Sequence, residues 1–101
     1  MIKLDLTNAP RMVDLGYGVS VEIRPGNTAI IAKAHADMVG AYDRVAFGKA
    51  FARNAILSWG GVDGDLSPDA IDALMDLWPI FVEFEKKVIG PALLVVTEGN
   101  A

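Results

Sequence analysis

The sequence predicts an α+β fold, mostly helical: a small N-terminal antiparallel β-hairpin or meander packed on about four helices, as a single domain over residues 1–101. Three observations carry this. Apolar residues alternate with polar ones up to Ile23, then recur at three- and four-residue steps from Thr28 onward. The changeover falls at Pro25-Gly26-Asn27-Thr28, which combines a strand breaker with a helix cap. The length suits one core and leaves no room for a second.

Residues 1–25 form the β region. Ile2, Leu4 and Leu6 alternate with Lys3, Asp5 and Thr7, and Val19, Val21 and Ile23 with Ser20, Glu22 and Arg24. Each apolar set therefore lies on one face of a strand. Asn8-Ala9-Pro10 and Gly16-Tyr17-Gly18 supply turns, and Met12-Val13-Asp14-Leu15 offers a short extra strand between them. Such a small sheet needs the following helices for support.

Residues 28–59 read as one long or broken helix, with Asn27 or Thr28 as cap. Ile31, Ala34, Met38, Tyr42 (or Ala41), Val45, Ala52, Ile56 and Trp59 follow helical spacing. Gly40 and Gly48 divide or bend it, because glycine costs about 1 kcal/mol in a helix interior. Gly60-Gly61 ends the helix, and Val62 to Leu66 form a loop.

The C-terminal helices span residues 67–96. Ser67 can cap, Pro68 suits the first helical position, and Asp69 meets the positive end of the dipole. Ala70, Ile71, Leu74, Met75 and Trp78 make an apolar stripe, and Pro79 predicts a kink or break at Trp78. Ile80 to Ile89 form a further helix with Phe81, Phe84 and Val88 on one face; Gly90-Pro91 break it, and a frayed tail follows.

The chain has no cysteine, which excludes disulfides and thiolate metal sites and fits a reducing cytoplasm. No apolar run reaches membrane-spanning length, and the N-terminus lacks the apolar stretch of an export signal. Ala, Val, Ile, Leu, Met, Phe, Trp and Gly nonetheless supply 61 of 101 residues, above the usual ~45–50%. An Ala- and Gly-rich core and a surface buried against a partner both account for that excess. Residues 1–59 carry seven basic and five acidic groups, net +2; residues 60–101 carry two and eight, net −6. This balance makes nucleic acid a poor partner. The acids read either as a solvated face or as a means of steering a basic partner.

No catalytic constellation emerges. His35 is the only histidine and has no acid at a metal spacing. Asp63, Asp65, Ser67 and Asp69 imitate a calcium loop, but positions six and twelve hold Pro68 and Leu74 where glycine and glutamate are needed. Gly16-Tyr17-Gly18 leads into a strand and not into the helix that a phosphate loop requires. Ser20, Ser58 and Ser67 have no base in a recognisable motif. The chain reads as a non-enzyme without metal or cofactor, whose work is binding protein. Trp59, Trp78, Phe81 and Phe84 are the prominent aromatics, most of them expected in the core.

Ile56 to Ala70, ILSWGGVDGDLSPDA, resembles the signature of tail assembly chaperones of long-tailed bacteriophages. Trp59, Gly61 and Val62 match that family's Trp-x-Gly-Val element, Asp63-Gly64-Asp65 its acidic loop, and Ser67-Pro68-Asp69 the start of its next helix. Val21 to Pro25 is similar to its strand ending in Arg-Pro, and Glu98-Gly99-Asn100 faintly resembles its Glu-Lys-Asn ending. The loop is shorter than in the family. The likeness is detailed over about fifteen residues and follows element order elsewhere. It implies a non-enzymatic chaperone of phage, prophage or gene-transfer-agent type in the bacterial cytoplasm. Such a protein binds the tape-measure protein and helps recruit tail-tube subunits, with self-association a further option. A small structural head or tail component of the virion is the alternative. Trp78, Phe81 and Phe84, around the break at Pro79, are the expected partner-binding face, and Trp59 is expected to plug the junction between the long helix and the Ser67 helix.

Overall fold

The computed structural model describes residues 9–24, 28–38 and 43–93. The strand expected over Ile2–Leu6, the cap at Asn27, the break at Gly40 and the C-terminal tail lie outside these residues. The chain runs β1 (Arg11–Gly16), β2 (Val19–Ile23), α1 (Thr28–Ala36), α2 (Arg44–Ala55), β3 (Ile56–Gly60), α3 (Pro68–Met75) and α4 (Trp78–Phe84). A π-helical turn, Glu85–Ile89, extends α4. The α+β architecture is as expected: one antiparallel sheet in the order β1-β2-β3, backed by helices.

β1 and β2 form the hairpin that the alternation predicts. Val13, Leu15, Val19, Val21 and Ile23 are buried on one face. The segment around Met12–Leu15 is thus a full strand. The third strand corrects the sequence reading. Ile56–Gly60, expected as the end of a helix, leaves α2 at Ala55 and pairs with β2. Ile23 faces Ile56, Glu22 faces Ser58 and Val21 faces Trp59, so a bulge at Leu57 puts Ile56 and Trp59 on the same face. Two core-facing residues three apart imitate a helical step.

Gly48 neither divides nor bends the helix; it lies inside α2. A Cβ there would meet the Phe81 ring at 2.5 and 2.7 Å, so its role is to admit that ring. The division falls earlier, where the Asp43 carboxylate caps α2 by accepting from Ala46 N at 2.8 Å. Ser67 caps α3 as expected, its hydroxyl accepting from Ala70 N at 3.1 Å with Pro68 in the first turn. The expected break near Pro79 falls at Leu77, whose extended backbone separates α3 from α4.

Gly90-Pro91 does not end the last helix: residues 90–93 continue it. The π turn accommodates the proline, with Gly90 N donating to Glu85 O one residue beyond α spacing. Pro91 has no N–H for the Lys87 carbonyl, and the Arg11 guanidinium donates to it instead at 3.2 Å. Lys87 Nζ in turn donates to Asp14 O at 2.6 Å, tying the π turn to β1.

The core is apolar throughout the described residues, with Phe51, Phe81, Phe84, Leu15, Ile23, Met75, Val21 and Val88 its largest fully buried side chains. The charge asymmetry of the sequence resolves into pairs between helices. Arg53 meets Asp72 at 2.5 Å, Lys49 meets Asp76 at 2.5 Å, and Arg44 pairs with Glu85. Rising positions on one side match falling positions on the other, as an antiparallel packing of α2 against α3 and α4 requires. Three first-half cations are thus used by second-half acids.

Candidate partner-binding surface

The expected face of Trp78, Phe81 and Phe84 is split by the fold. Phe81 is 1% and Phe84 0% exposed, whereas Trp78 is 57% exposed. The physical reason is the break at Leu77. It places Trp78 in the first turn of α4, ahead of the face on which residues 81, 84 and 88 pack inward. Phe81 fills the space above Gly48, and Phe84 meets Phe51 edge-on at 6.4 Å. Neither can touch a partner without unfolding. The Trp78 ring stacks on Phe81 at 5.9 Å, with the Arg44 guanidinium 5.5 Å from its centroid. Arg44 also grips Glu85 through two hydrogen bonds, one of them at 2.6 Å from Nε. Those hydrogen bonds hold the Glu85 carboxyl below the ordinary carboxylate range, with partial burial opposing them and the Arg44 charge adding to them.

The residues of the resembling segment do structural work. Trp59 lies on β3, not at a helix end, and is partly buried against the core. Its indole Nε1 donates to Gly64 O at 3.2 Å, closing the acidic loop back onto the strand. It therefore anchors the loop from a strand, and not from the helix end at which it was expected to plug a junction. Gly61 has φ +77°, and a Cβ there would lie 1.9 Å from Gly18 O. Only glycine lets this loop rest on the tip of the β1–β2 hairpin. Val62 packs against the core beside it.

That tip carries a residue that sequence reasoning passed over. Gly16, Tyr17 and Gly18 all have positive φ, +80°, +56° and +76°. The Asp14 carboxylate accepts from Gly16 N at 2.8 Å and steadies the turn. A tyrosine at φ +56° costs about 1 kcal/mol relative to a residue that favours this region. The residue is 76% exposed, so local packing does not recover that cost. The available signal was an aromatic between two turn glycines.

Tyr17 stands beside the α3–α4 break. Tyr17, Val19, Leu77, Pro79 and Ile80 line an open concavity of about 320 Å³ with almost wholly apolar walls. Val19 and Ile80 are buried at its floor; Tyr17 and Leu77, the latter 54% exposed, form the rim. The concavity can receive one or two apolar side chains, and Pro79 stiffens one wall.

Elsewhere the described residues hold no cluster of three or more His, Asp or Glu that could bind a metal ion. His35 packs its ring against Phe47 at 4.9 Å. No helix among the described residues is long and apolar enough to cross a membrane. Compared with protein-family models, with curated proteins and with solved structures, the chain matches none.

Proposed function

We propose that this chain is a non-enzymatic tail assembly chaperone of a long-tailed phage, prophage or gene transfer agent. In this reading it acts in the bacterial cytoplasm, holds an apolar helical segment of a tape-measure protein, and helps recruit tail-tube subunits. The observation that carries the proposal is the rimmed apolar concavity of Tyr17, Leu77 and Pro79, at a turn whose tyrosine is kept in an unfavourable backbone region. The resemblance of Ile56 to Ala70 to the chaperone signature supports it independently. Its glycine and tryptophan positions hold the loop against the hairpin tip on which Tyr17 is displayed.

Co-expression with the tape-measure protein of the same genome is the direct test. The expected result is a complex that survives moderate salt and a tape measure that becomes soluble, because apolar contacts are little screened. Tyr17→Ser with Leu77→Ser should release the partner while the chain stays folded. A tape measure equally soluble without this chain refutes the chaperone reading. A complex indifferent to both substitutions refutes the assignment of the surface. Gel analysis of purified particles separates the structural-component alternative, since a chaperone is absent from finished virions.

A further inference from the structure

A second concave site lies at the opposite end of β2 from the hairpin tip. Arg24, Ala29, Ile30, Lys33, Arg53 and Asn54 line an open concavity of about 320 Å³. Arg24 N donates to Ala55 O at 2.9 Å, fixing the end of β2 against the last turn of α2. Ala29, Ile30 and Lys33 lie on one face of α1.

The charges here are unlike most others among the described residues. Among the described lysines and arginines, Arg44, Lys49, Arg53, Lys86 and Lys87 each meet a carboxylate. Arg11 donates to a backbone carbonyl. The side chains of Arg24 and Lys33 make neither kind of contact among the described residues, and both residues line this concavity. Arg53 brings a third cation, shared with Asp72. In a chain of net charge −4, two of the three described cations without a carboxylate, Arg24 and Lys33, converge on one hollow.

We infer that this hollow binds an oxyanion, a carboxylate or a phosphate group, between Arg24 and Lys33, with Arg53 contributing from α2. The Arg24 guanidinium offers a planar fork and Lys33 a mobile ammonium, the pair suited to gripping such a group from two sides. Asn54 cannot add a donor, because its Nδ2 already serves Asp37 and Ala50 O. The site is independent of the apolar concavity and of the chaperone reading.

The test is a titration of the full chain, followed by amide chemical shifts, with inorganic phosphate and separately with acetate at constant ionic strength. Saturable shifts at Arg24, Ala29 to Lys33, Arg53 and Asn54 are expected. Arg24→Gln and Lys33→Gln should each weaken binding about tenfold, the loss of one charge-assisted hydrogen bond, whereas Lys86→Gln leaves it unchanged. A stronger response to phosphate identifies a phosphate-bearing ligand, and a stronger response to acetate identifies an acidic protein segment. Shifts that never saturate, or that persist in the folded Arg24→Gln/Lys33→Gln double variant, overturn the inference.

Discussion

Gly61→Ala tests whether the loop after β3 is locked onto the hairpin tip. Gly18 provides the control, because its φ of +76° matches the +77° of Gly61 while a Cβ there meets nothing within 4 Å. Alanine at either site incurs the same backbone penalty of about 1–2 kcal/mol. At Gly61 the new methyl also lies 1.9 Å from Gly18 O, so loop and hairpin must separate by more than an ångström to reach ordinary contact. Such overpacking costs about 1–3 kcal/mol. The displaced loop also draws Gly64 O away from Trp59 Nε1, losing a hydrogen bond worth about 1 kcal/mol. The expected loss is therefore about 3–6 kcal/mol for Gly61→Ala against about 1–2 for Gly18→Ala. Urea unfolding followed by far-ultraviolet circular dichroism measures both, provided the slope with denaturant is unchanged. Equal midpoint shifts in the two variants would refute the packing argument and leave only backbone conformation.

Gly48→Ala should destabilise the protein, because overpacking against Phe81 at about 1–3 kcal/mol outweighs a helix-propensity gain of about 1 kcal/mol. Adding Phe81→Leu should recover part of that loss, and a strictly additive double-mutant cycle would contradict the contact. Tyr17→Asn should raise stability by up to about 1 kcal/mol, since asparagine tolerates positive φ, while weakening the proposed capture of a tape-measure protein. A variant that is both less stable and fully competent in capture would count against the reading of Tyr17. The Glu85 carboxyl is lowered in the folded state, so its contribution is present above the ordinary value of 4.5 and is lost as pH falls through the lowered one. Glu85→Gln should therefore flatten the acid side of the stability–pH profile. The effect should stay below about 1 kcal/mol, because Arg44 is 56% exposed.

The hairpin was legible because its strands bury a single face, so Val19, Val21 and Ile23 keep strict alternation. The cap at Ser67 was legible because its chemistry is local. β3 was not, since the bulge at Leu57 spaces its inward residues three apart, and no local signal separates that from a helix turn. The partner surface failed for a related reason. A stripe at positions 78, 81 and 84 marks a helix face but does not say whether that face turns inward. Gly48 decides it from another helix, by leaving room for Phe81. The rim residues, Tyr17 and Leu77, belong to no periodic pattern at all. Charge asymmetry was visible in the sequence as a contrast between halves, but the antiparallel pairing that uses it depends on α2 lying against α3 and α4.

The sheet order has a consequence for how the chain reaches its native state. β1 and β2 are joined by a tight turn, whereas residues 24–55 separate β2 from β3. The hairpin can therefore close early, but the central strand acquires its second neighbour only after two helices have formed and folded back. During synthesis β2 keeps an open edge until residue 60 has left the ribosome. Over that interval the strand carrying Val19, Val21 and Ile23 is a template for any other nascent chain. Completion of the sheet and docking of α2 are then one cooperative step, and a truncation ending at Ala55 should aggregate through that edge instead of accumulating as a smaller folded unit.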